Sequence, residues 1–220
     1  MDKSIKADRL LIAALCAALA GCASPEPVAY SGIASSSQLT RNLRDDSNRV
    51  PFRYSSEVDW RSYTRVIVDP VVVYLGQDHQ FGDMSEKDKT ELARYMQAKF
   101  AEKLKARFML ASEPAPNSLR VRLTLTGASE STPVLGTLSR LDIAGGIYNG
   151  VQTVRGGEGT LTGSVIYAVE VYDASTDRLL SAYVSKQYPS PINIGATLGT
   201  LDAARAGIDK GADALVAQLK

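Results

Sequence analysis

The stretch LRVRLTLT at residues 119–126 alternates without a fault. Leu119, Val121, Leu123 and Leu125 fall on one side of an extended chain, and Arg120, Arg122, Thr124 and Thr126 on the other. A period of two is the pattern of a strand with one buried face. That face obliges the fold to supply an apolar partner. The segment SEKDKTELARYMQAKFAEKLKARF at 85–108 is a fitting one. Leu92, Met96, Phe100, Leu104 and Phe108 recur every four residues, with Ala93 and Ala101 beside them, and Lys and Glu fill the rest. This is a helix with one apolar stripe. Ser85, with Asp88 three residues on, marks its start.

The remaining elements extend this pairing. RVIVDPVVVYLG at 65–76 is β-branched and reads as a strand, interrupted or at an edge at Pro70, which has no N–H for a sheet ladder. Residues 164–187 read as two strands around a turn at 173–178. Val165, Tyr167, Val169 and Val171 form one face, and Leu180, Ala182 and Val184 are expected on the matching face of the return strand. A second helix is expected after Thr200, a candidate cap, with Leu201, Ala204, Ile208, Leu215 and Leu219 on one side. Gly207 and Gly211 weaken it by roughly 1 kcal/mol each against Ala. The order predicts a single α+β domain: a largely antiparallel β-sheet with two amphipathic helices packed on one face. Strand order does not follow from these patterns. Between the strands, Val134, Leu138, Leu141, Tyr148 and Val151 fall near helical spacing, broken by Gly145 and Gly146. They read either as fixed cover for the sheet or as a movable partner-binding surface.

The chain begins with Lys3, Lys6 and Arg9, followed by an apolar run from Leu10 to Ala20. This is the layout of a secretory signal, and the run falls short of the roughly 20 residues a spanning helix needs. Leu19-Ala20-Gly21-Cys22 resembles the lipobox of bacterial lipoproteins. That resemblance implies cleavage before Cys22, a diacylglycerol on its thiol and an acylated amino group. Two or more acyl chains hold a protein stably on a bilayer. Ala23, where Asp would suggest inner-membrane retention, favours the outer membrane, with the domain facing the periplasm. Residues 1–21 are thus expected to be signal. Residues 22–56, rich in Ser, Pro and Asn, are expected to be a lipidated flexible tether, and residues 57–220 the globular domain, able to fold by itself.

Residues 1–21 carry three of the 25 basic and two of the 24 acidic residues, which leaves 22 of each. A mature charge of zero argues against nucleic-acid binding, which needs a basic surface. Cys16 lies in the signal, so Cys22 is the only mature cysteine and no disulfide forms within the mature chain. A hydrophobic core must then hold the fold.

VDWRSYTRVIVDPV at 58–71 resembles the signature of a bacterial lipoprotein family catalogued as domain of unknown function 3313. The stretches at 119–139 and 170–187 are similar in order and spacing. Asp177 stands where the family's hairpin turn usually has Gly, and the last helix lacks a Trp. The resemblance implies a cell-envelope lipoprotein and brings no catalytic residue with it.

Individual residues offer little chemistry. His79 is the only histidine, with Asp78 and Asp83 near it. A zinc site draws three or four ligands from His, Cys and carboxylates, so a solvated loop is the better reading and no metal is expected. Ser85 has a sufficient role as a cap. The glycines of 155–163 lack the Lys-Ser/Thr of a phosphate loop and precede a strand. Glu158 among them is a lone carboxylate, without the pair a glycosidase uses. Arg120, Arg122 and Glu170 read as a charged sheet face. Trp60 and Tyr63 read as a seal on the core edge rather than a sugar-stacking platform. No cofactor is expected. The function expected is a non-enzymatic lipoprotein that presents a periplasmic binding or accessory domain to an envelope protein, glycan or lipid. The alternative is an envelope hydrolase with an unrecognised site.

Overall fold

In the computed structural model of the chain, residues 25–130, 163–189 and 199–220 are described. The strands among them are β1 (Thr40–Arg41), β2 (Phe52–Ser55), β3 (Arg65–Val68), β4 (Val72–Val73), β5 (Met109–Leu110), β6 (Ser118–Ser129), β7 (Ser164–Asp173) and β8 (Leu179–Gln187). The helices are α1 (Glu86–Leu104) and α2 (Asp202–Gln218). The strands form one sheet in the order β1-β2-β8-β7-β6-β3-β5, with β4 also on β6. The pairs from β1 to β6 along this order are antiparallel, whereas β3 and β4 run parallel to β6, and β5 parallel to β3. The fold is therefore α+β, largely antiparallel and mixed at one side. Parallel neighbours need a crossover, and α1 supplies it between β3 and β6.

Both helices lie on the same face. Leu92, Met96, Phe100, Leu104 and Phe108 are buried with Leu119, Val121, Leu123 and Leu125 of β6 and Val165, Tyr167, Val169 and Val171 of β7. Ile208, Ala212, Leu215 and Leu219 from the second helix complete this core. Helix α1 stops four residues before Phe108, which keeps its place in the stripe from the turn beyond. Ser85 caps the helix through a bond from the Asp88 N–H to its Oγ, at 3.1 Å. Thr200 does not cap α2. The Asp202 carboxylate instead accepts the Gly199 N–H at 2.9 Å. Pro70 separates β3 from β4, which follow one another along β6.

The expectation of a tether over 22–56 is corrected in its described part. Tyr30 and Ile33 pack with Tyr74 on Ile166, Ala168 and Val184, covering the sheet face opposite the helices. The Tyr30 hydroxyl donates to Gln80 Oε1 at 2.5 Å, and the Ser35 N–H donates to the buried Glu170 carboxylate at 2.6 Å. β2 continues the sheet beside β8. Low apolar content does not prevent order here, because a thin layer needs only a few large side chains once β7 and β8 supply the rest. Ile166, Ala168 and Val184 lie on their outer face, which explains why β7 carries apolar residues on both sides.

The hairpin turn tolerates Asp177 in the left-handed region, at φ 52°, a conformation that Asp adopts more readily than most residues. Burial raises the Asp173 pKa, but bonds from Ser175, Tyr63 and Thr176 outweigh it and hold the value at about 2.

Candidate binding groove

The expected face of β8 is also corrected. Ser181, Tyr183, Ser185 and Gln187 stand opposite Val171, Val169, Tyr167 and Val165, so these four lie on the helix side. A register shift between Val171 and Tyr172 brings Leu180 onto the helix side as well, into the main core. Ala182 and Val184 belong to the opposite face. The helix side of β8 is therefore largely polar. β2 extends it, with Arg53 opposite Tyr183 and Ser55 opposite Ser181.

A groove of about 320 Å³ follows from this arrangement. Its floor is β8 and Tyr167. One wall is the β1–β2 hairpin, with Asn42, Arg44, Asp45, Val50 and Arg53, and the other is α2, with Gly211, Ala214 and Gln218. Gln218 Nε2 donates to Ser181 Oγ at 2.9 Å, and Gln187 Nε2 donates to Ser185 Oγ at 2.9 Å. Gln187 Oε1 accepts from Arg49 Nη1 at 3.0 Å, and the Arg49 guanidinium lies over the Tyr188 ring. Asp45 is occupied by its own loop: Oδ1 accepts from the Ser47 N–H and hydroxyl, and Oδ2 from the Val50 N–H.

Tyr167 is wholly buried, and its hydroxyl, with the Ser185 hydroxyl beside it, makes no well-formed hydrogen bond among the described residues. Burial pushes the hydroxyl above the ordinary tyrosine pKa, with the nearby Ser185 hydroxyl and Arg49 pulling the other way. Burial also raises Tyr183 well above that value, reinforced by the proximity of Tyr167. The glycines of α2 answer to this packing. A Cβ at Gly211 would sit 1.7 Å from Tyr167 Oη, and one at Gly207 2.9 Å from the Gln187 carbonyl oxygen. Helix propensity alone predicts that Gly211→Ala stabilises the chain by about 1 kcal/mol. The contact reverses the sign. We expect a loss of about 1–3 kcal/mol from overpacking, partly recovered in the Gly211→Ala/Tyr167→Phe pair, as read by urea denaturation.

The other residues singled out in the sequence do not join this groove. His79 is exposed, and its Nδ1 lies 3.5 Å from the Phe81 N–H. Asp78 accepts from the Tyr74 hydroxyl at 2.7 Å and the Ser31 N–H at 2.9 Å, which lower its pKa. Asp83 is exposed. No group of three or more His, Cys, Asp or Glu placed to hold a metal exists among the described residues. Arg122 pairs with Asp69 at 3.2 Å and Arg120 approaches the same carboxylate at 3.8 Å. Tyr63 is core and donates to Asp173 at 2.8 Å, while Trp60 packs beside it. Leu19, Ala20, Gly21, Cys22, Val134, Leu138, Leu141, Tyr148, Val151 and Glu158 lie outside the described residues. Among the described residues, no helix is long and apolar enough to cross a membrane. The groove itself was missed in the sequence. Its signal was the polar alternation Ser181, Tyr183, Ser185, Gln187.

The model of the family described as "Protein of unknown function (DUF3313)" matches residues 29–215. No curated protein matches the chain. Among solved structures, the PelC dodecamer from Paraburkholderia phytofirmans is similar at 9% identity and a TM-score of 0.38, over 73% of this chain and 94% of that one. The hypothetical protein CT253 from Chlamydia trachomatis is similar at 10% identity and a TM-score of 0.35, over 71% of this chain and 95% of that one.

Proposed function

The chain belongs to the DUF3313 family of proteins of unknown function, and we propose that it is a non-enzymatic cell-envelope lipoprotein. Acylated Cys22 anchors it to the outer membrane, and its domain faces the periplasm and binds an envelope component. The anchoring rests on the Leu19-Ala20-Gly21-Cys22 lipobox behind a basic, apolar signal. The observation that carries the binding role is the groove, where hydroxyl and amide side chains are sunk into a sheet face that is otherwise apolar core. Polar groups are costly in such a place unless they bond.

Only seven residues separate Cys22 from Tyr30, which is fixed on the sheet. Fully extended, they reach about 28 Å. The anchor therefore holds the domain close to the bilayer, not far out in the periplasm.

Cys22→Ala is expected to abolish labelling by a fatty-acid analogue and to release the protein from the membrane fraction, while Cys16→Ala changes neither. Labelling that persists in the Cys22 variant contradicts the anchor.

A further inference from the structure

Resting on the Cys22 anchor above, we propose that the domain docks on the bilayer surface through one end of its sheet, where Leu43, Val28 and Leu75 enter the lipid interface.

Leu43 and Leu75 are 86% and 80% exposed, the two most exposed large hydrophobics among the described residues, and Val28 is 39% exposed. Singly, such residues are ordinary on a surface. Here they gather where the chain enters the domain. The Glu26 carbonyl oxygen accepts from Gln80 Nε2 at 2.6 Å, and the Glu26 carboxylate from Asn48 Nδ2 at 3.5 Å. The loop that bears Leu75 (75–83) and the loop that bears Leu43 (42–50) thus both touch the residue two before Val28. The register puts both loops at the same end of the sheet. Gln80 bridges Gly127 near the end of β6, Gly127 faces Ile166, Ile166 faces Lys186, and the Lys186 N–H donates to the Arg49 carbonyl oxygen.

Glu26 is four residues from Cys22, at most about 14 Å of extended chain. The opposite end of the sheet, where Met109 pairs with Arg65 and Arg65 with Ser118, lies about 30 Å away along β6. An acylated Cys22 therefore brings the end with Leu43 and Leu75 to the bilayer first. The loop with Leu75 is also stitched in place. The Tyr74 hydroxyl accepts the Gly32 N–H at 2.9 Å and donates to Asp78 Oδ1 at 2.7 Å, and the Ser31 N–H donates to Asp78 Oδ2 at 2.9 Å. Leu75 is held outward, and lipid would take its apolar surface from water. Among the exposed charges of the entering chain and the two loops, Glu26, Asp46 and Asp83 outnumber Arg44, His79 aside. Attraction to anionic lipid is not the force. The acyl anchor supplies proximity and the apolar side chains supply the contact.

The test uses the mature lipoprotein in phosphatidylcholine vesicles that carry a nitroxide-labelled lipid. Leu43→Cys, Leu75→Cys and Met109→Cys each carry a thiol-linked environment-sensitive fluorophore, Cys22 being taken up by its lipid. Intact mass reads the acylation separately. The expected result is nitroxide quenching at positions 43 and 75 and none at 109, unchanged by added phosphatidylglycerol or by salt. Val28→Glu/Leu43→Glu should cut the quenching at position 75 about threefold, with the far-ultraviolet circular dichroism unchanged because both side chains are exposed. Acylated protein with no quenching at 43 and 75, or with equal quenching at 109, overturns the docking and leaves the anchor standing. Quenching that requires phosphatidylglycerol or is lost in high salt overturns the apolar contact. Protein without acyl chains overturns the anchor, and the docking with it.

Discussion

A chain that begins at residue 57 is expected to lose its cooperative unfolding transition, whereas one that begins at residue 25 keeps it. The shorter chain lacks Tyr30 and Ile33, which cover Ile166, Ala168 and Val184, and lacks β2, which pairs with β8. Burying one large apolar side chain is worth about 1.5–3 kcal/mol. Tyr30, Ile33 and Phe52 together, with the sheet surface they cover, amount to about 5 kcal/mol or more. That is comparable with the whole stability of an ordinary domain. Glu170 would also lose the Ser35 N–H. Denaturant titration, with dye binding to exposed apolar surface, separates the outcomes. A sharp transition in the shorter chain, close to that of the longer one, would show that the outer layer is dispensable.

Leu104→Asp is expected to leave no folded population at 25 °C. Leu104 is fully buried in the main core, near the end of α1. Removing its methyl groups alone costs about 2–5 kcal/mol. The carboxylate adds a further desolvation penalty with no cation among the core residues to meet it. Glu102→Asp, on the exposed side of the same helix, serves as the control, with a change of roughly 0.5 kcal/mol or less. Far-ultraviolet circular dichroism across a thermal scan reads both. A native-like transition in Leu104→Asp would place α1 elsewhere than on β6 and β7.

The legible parts of this fold were the periodic ones. Four-residue spacing in α1 and two-residue spacing in β6 identify not only the elements but the faces that meet. Strands of two to four residues, such as β1, β2 and β5, are too short for periodicity to mark. The outer layer was hidden for a different reason. Tyr30 and Ile33 are scattered among small residues without a period, and their burial depends on strands more than a hundred residues away. The register shift near Tyr172 has no local signature in the sequence, yet it contributes to which residues of β8 face the helices. The groove is a consequence of that placement, so it could be found only after the strands were paired. Gly211 reads as a weakness in a helix until Tyr167 is seen beneath it.

Crosslinking in intact cells reads whether the groove is the surface that meets an envelope component. A photoreactive residue at Ala214, on the groove wall, is compared with one at Glu113, near β5 at the far edge of the sheet. A discrete membrane-fraction adduct is expected from position 214, absent from position 113 and diminished in the Arg44→Gln/Arg53→Gln background. Equal adducts from both positions, or none from position 214 in a protein that is correctly anchored, would contradict the groove as the binding site.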